Sequence, residues 1–153
     1  MKHYPHTDFQ IEEIVHAEKH PRDWSTLEFE KVGEHSRQAE KVLDLADGRF
    51  ANLRLIIKAG RIKIVQSYEA VFLLENQRVR GVGYAAIEKV QFYGKVVVPQ
   101  GWHQNVLNPN LLSGDPDYNR HEPLPDFSPS ELIDFTRKVA ILWNIVLPPP
   151  ELL

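Results

Sequence analysis

Seven histidines stand in a chain without cysteine, so imidazole, carboxylate and guanidinium chemistry is what the sequence has to offer. His103 follows Pro99-Gln100-Gly101-Trp102, and His121 lies between Arg120 and Glu122, ahead of Pro123-Leu124-Pro125. Imidazole exchanges protons near neutral pH, and guanidinium holds a phosphate through paired N–H bonds. If these segments fold back over the basic run Arg78-Val79-Arg80, the parts of a metal-independent ribonuclease are present. His103, His121 and Glu122 would be its proton carriers, and Arg78, Arg80 and Arg120 its RNA phosphate ligands. The plainer reading is structural: Arg120 and Glu122 pair with neighbours, and His103 caps a turn.

A histidine metal site is the competing chemistry. His16 and His20 are four apart with Glu13 just before them, a spacing that one helix face would align. Pro21 follows directly, and the His-Glu-x-x-His order that sets a base beside a metal is missing. The sequence therefore predicts no metal site, and no cofactor. It has no Gly-rich phosphate loop and no serine nucleophile elbow.

These residues need a scaffold, and the stretch Arg49–Val98 supplies it. Arg61–Leu74 is rich in β-branched and aromatic residues, Glu75-Asn76-Gln77 can turn the chain, and Arg78–Tyr84 returns. Strands are predicted at 41–46, 49–58, 61–74, 78–87 and 92–98, an antiparallel meander because the connections are too short for crossover helices. Ser36–Ala46 fits a helix or the first arm of a hairpin, and Asp47-Gly48 favours the hairpin. Gly81 and Gly83 suggest a bulge or a close backbone contact. Ser25–Val32 alternates like a half-exposed strand, while 1–24 fits either a strand or a short helix from Thr7 or Asp8. Ser128-Pro129-Ser130-Glu131 reads as a capping box opening a helix over 128–144, with Leu132, Phe135, Val139, Leu142 and Trp143 on its apolar face. The expectation is an α+β domain spanning 1–153: an antiparallel β-sheet of five to six strands, packed on one face by a C-terminal α-helix. Residues 99–127 form a long loop of functional appearance, and 145–153 a Pro-rich tail.

Charge is unevenly placed. Residues 1–47 carry 6 Lys/Arg against 11 Asp/Glu, 48–100 carry 9 against 3, and 101–153 carry 3 against 7. The basic sheet either meets phosphate-bearing partners or is neutralised by its acidic flanks. On the alternation, Arg54, Lys58, Arg78 and Arg80 share the face away from the core. No run nears the roughly 18 apolar residues of a membrane span, so no membrane partner is expected, and the missing cysteines fit a cytoplasmic setting.

The basic strand Arg78–Tyr84, the histidine- and proline-bearing segment with His103 and His121–Pro125, and the capped closing helix together resemble TumE-like bacterial toxins in outline over residues 42–145. That resemblance implies a toxin-like protein bound by a cognate antitoxin. The alternative is a non-enzymatic protein-binding module that self-associates as a homodimer, using the free sheet face or Trp102.

Overall fold

The computed structural model describes residues 4–62, 65–90 and 96–148. Its centre is an antiparallel sheet built from β1 (Lys19–Pro21), β2 (Glu30–Lys31), β3 (Ser36–Leu45), β4 (Leu53–Ile62), β5 (Val65–Leu74), β6 (Gln77–Ala85), β9 (Gly101–Leu107) and β10 (Asn119–Pro123). Spatial order is β1-β3-β4-β5-β6-β9-β10, with β2 on the far part of β3. Two short strands, β7 (Lys89–Val90) and β8 (Val96–Val98), pair only with each other. Helices α1 (Asp8–His16) and α2 (Leu132–Leu142) are the two helices among the described residues. The architecture is α+β with an antiparallel sheet, with more strands than the sequence suggests and two helices rather than one over the core.

The hairpin reading of 36–46 holds: β3 pairs with β4 from Ser36↔Gly60 to Leu43↔Leu53. Asp47-Gly48 is not a two-residue turn, however. Gly48 has φ +84°, and the Asp47 carboxylate accepts from the Arg49 N–H, opening a longer connection to Leu53. Gly60 does not turn the chain; β4 runs on to Ile62, in register with Val65 of β5. Glu75 and Asn76, with φ 52° and 61°, make the tight β5–β6 hairpin, whose right-handed twist needs two positive φ angles. The expected strand at 25–32 contracts to two exposed residues, although Leu27 is buried.

The expected loop over 99–127 contains the hairpin β9–β10, from His103↔Pro123 to Leu107↔Asn119. The expected strand at 92–98 lies partly outside the described residues, and Val96–Val98 is not in the main sheet.

One face of the sheet is the core. Leu43, Leu53, Leu55, Ile57, Ala70, Phe72 and Leu74 meet Ile11, Ile14 and Val15 of α1, Phe135 and Val139 of α2, and Trp143 at its end, all buried. Fully burying an aliphatic or aromatic side chain contributes about 1.5–3 kcal/mol, so this layer dominates the fold's stability. α1 opens with a capping box in which the Thr7 hydroxyl accepts from the Gln10 N–H and the Gln10 side chain accepts from the Thr7 N–H. α2 starts later than its sequence signal. Its N-cap is Glu131, and the cap works in reverse, with the Asp134 carboxylate accepting from Ser130 N–H and Oγ. Asn144 (φ 52°) ends the helix, and the Trp143 indole donates to Gln104 of β9 at 2.9 Å.

Candidate functional site on the outer sheet face

The six sequence candidates are divided between the two faces of the sheet by a single extra residue. Leu73 pairs with Arg78, yet Phe72 pairs with Arg80, so Val79 bulges out of register. Cross-strand partners point the same way, and adjacent residues alternate. Phe72 faces the core, so Arg80 does too, while Arg78 stays with Leu73 on the outer face. The expectation that Arg78 and Arg80 share the outer face is thereby corrected. Alternation along β10 makes the same division: His121 faces outward, and Arg120 and Glu122 face the side of the helices. Arg80 and Arg120 line one cleft there, and Glu122 exerts its charge on Arg80. Arg80, Arg120 and Glu122 are therefore not part of one site with the histidines.

Arg78, His103 and His121 do come together. Gly81 pairs with Asn105, which pairs with His121; in the next row Gly83 pairs with His103. The glycines leave the space that these side chains occupy. A Cβ on Gly81 would sit 3.0 Å from Arg78 Nη2 and 3.3 Å from Nε, so the guanidinium lies directly across that residue. The His103 ring is 3.9 Å from the corresponding point on Gly83. The His103 and His121 ring centroids are 5.2 Å apart.

Protonation follows from the partners. His103 is buried, and its Nδ1 lies 3.3 Å from the Gly101 carbonyl. A carbonyl only accepts, so Nδ1 carries the hydrogen and Nε2 is left for other chemistry. His121 is held below its ordinary 6.5, first by burial and then by the charges of His103, Lys89 and Arg78. It is neutral at pH 7. Arg78 donates to Glu69 at 3.0 Å. Among the described residues, Arg78 Nε, Asn105 Oδ1 and His121 Nδ1 are buried without a hydrogen-bond partner. Buried polar atoms are nearly always satisfied, so this cluster has donors and acceptors suited to a polar occupant.

The basic charge of the central strands is largely paired internally. Arg54 meets Glu40 at 2.9 Å, Arg78 meets Glu69, and the buried Arg80 meets Glu12 of α1. Lys58 is exposed and makes no ion pair among the described residues. His16 pairs with Glu12, while Glu13 pairs with Arg49, so the suggested His16–His20–Glu13 set is not assembled. Among the described residues no three His, Asp or Glu side chains converge as metal ligands. Glu69 and Asn105 are not among the site residues that the sequence singles out. Asn105 could have been found two residues from His103 on the same strand face, had 101–107 been read as a strand. Compared with protein-family models, curated proteins and solved structures, the chain matches none.

Proposed function

We propose that this is a toxin-like or regulatory protein acting on RNA, with the Arg78–His103–His121 cluster engaging a phosphodiester. The observation supporting this most is that those three side chains, from three adjacent strands, share the outer face, with the two imidazole rings 5.2 Å apart and the Arg78 charge acting on His121. In the reaction the neutral His121 takes the proton of a ribose 2′-hydroxyl, and that oxygen bonds to the adjacent phosphorus. The P–O5′ bond breaks, and the leaving oxygen takes a proton from His103 in its imidazolium form. Arg78 balances charge on the non-bridging oxygens. Two charged imidazoles in contact repel each other, so the pair does not take up two protons at once. Products are a 2′,3′-cyclic phosphate and a 5′-hydroxyl. A protein of this kind works in the cytoplasm under a cognate antitoxin.

Because the neighbouring arginines are internally paired, RNA contact is local. Binding should weaken only shallowly with salt, at a slope of roughly −0.7 per phosphate engaged and one or two phosphates in all. The test is binding over a salt series, with cleavage and product ends read in the same samples. His103→Ala and His121→Ala should each lower cleavage by about 100-fold or more. If both variants cleave like the wild type, the reading fails.

A second reading, self-association, is favoured by the β10 edge. Leu124 N–H donates to Trp102 and Asn108 N–H to Tyr118, so the even residues of β10 bond to β9 and the odd ones turn their backbone outward. About a two-fold axis at His121, Arg120 would oppose Glu122 of a second copy. Light scattering over a concentration series tests this; a constant monomer mass would eliminate it.

A further inference from the structure

On the opposite face from the histidines, α1 and the segment after β9 enclose a cleft of about 490 Å³ with Arg80, Arg120, Asp8, Asp117, Ile11 and Leu111 on its walls. Arg80 is its fixed feature. The side chain is 4% exposed, and Nη1 is tied to the Val79 carbonyl at 2.8 Å. Its acidic partner, Glu12, is far less fixed: that side chain is 51% exposed, and its other oxygen meets His16 at 3.2 Å. A buried guanidinium keeps a carboxylate beside it, but nothing requires that carboxylate to belong to the protein. A ligand's carboxylate would satisfy the buried guanidinium as Glu12 does, with Glu12 released to water. The acidic wall is also built. Asp8 is held by the amides of Asn108 and Asn110 at 2.9 and 3.0 Å, fixing the segment after β9 against α1.

We propose that this cleft binds a small zwitterion of the amino-acid type, its carboxylate on Arg80 in place of Glu12 and on Arg120 in place of Glu122, which Arg120 meets at 3.2 Å. Its ammonium faces Asp117 and Asp8, and its side chain rests on Ile11 and Leu111. A phosphate dianion is disfavoured because Asp8, Glu12 and Asp117 line the same space as the two arginines. A ligand carrying both charges matches both walls, and the volume suits one amino acid or a dipeptide.

The experiment is thermal denaturation of the full chain with each common amino acid, simple dipeptides and inorganic phosphate, at about 10 mM, a level that detects millimolar affinity. One or a few amino acids or dipeptides should raise the melting temperature, by roughly 5–10 °C where the ligand exceeds Kd a hundredfold. Arg120→Ala, a change to a half-exposed side chain, should abolish that rise. If the variant melts lower on its own, titration calorimetry well below its melting point reads the same loss. The proposal is overturned if no amino acid or dipeptide shifts the wild type. It is equally overturned if phosphate alone shifts it as much, or if the effect survives in Arg120→Ala. Because RNA cleavage depends on the other face, it should be unchanged in Arg120→Ala.

Discussion

Lys19 is the most informative single residue for stability. It is fully buried, and its Nζ donates to the carbonyls of Ile14, Val15 and Ala17 at 2.7, 2.8 and 2.5 Å, closing the C-terminus of α1. Those carbonyls have no partners of their own at a helix end, and a cation there also meets the negative end of the helix dipole. Lys19→Met keeps the volume and removes the donor. Each orphaned buried carbonyl costs about 1–3 kcal/mol, offset in part because a buried ammonium no longer has to be desolvated. A net loss of about 3 kcal/mol is expected, read as a lower urea midpoint with unchanged m-value. Burial also pulls Lys19 from 10.5 down to about 7, so the three-donor ammonium cap belongs to the lower pH range and above about 7 the amine keeps two donors for the three carbonyls. Between those values the unfolded chain binds more protons than the folded one, so Lys19 makes stability rise with pH from about 7 upward. The deficit of Lys19→Met should therefore be larger at pH 9 than at pH 7. A variant as stable as the wild type would refute the three-carbonyl cap, and a deficit independent of pH would refute the burial account.

Three further outcomes are expected. Gly81→Ala places a Cβ against the guanidinium end of the long Arg78 side chain, so it should cost under about 1 kcal/mol in urea while displacing the guanidinium and abolishing RNA cleavage. Full activity in that variant would mean Arg78 has no role. Because His121 titrates below 6.5 when folded, the unfolded chain takes its proton first, and stability should fall as pH drops through 6.5. His121→Gln should flatten that fall between pH 8 and about 5, measured by urea midpoints. Trp143→Phe loses the indole bond to Gln104 and some packing on Phe72, for about 1–2 kcal/mol by thermal denaturation.

The legible parts of this chain were those with local causes. The turn at Glu75-Asn76, the apolar stripe of α2 and the antiparallel order all follow from spacing within a few residues. Two features resisted reading. One extra residue at Val79 leaves a basic-apolar-basic string that looks like simple alternation, yet it sends Arg80 to the other face, toward Glu12, 68 residues away in sequence. The β9–β10 hairpin was hidden because its outward face carries His103, Asn105 and His121, polar residues whose strand periodicity looks like a loop. The histidines could be marked as a pair of interest, but the alternation that separates His121 from Arg120 and Glu122 appears only once 119–123 is known to be a strand.

The most direct test of the RNA reading is an NMR titration of the histidine ring protons against a non-cleavable 2′-deoxy dinucleotide. The account predicts that His103 and His121 shift together, that His121 titrates at higher pH with the phosphate bound, and that His16 and His35 stay still. No change at His103 and His121, or equal changes at every histidine, would contradict it.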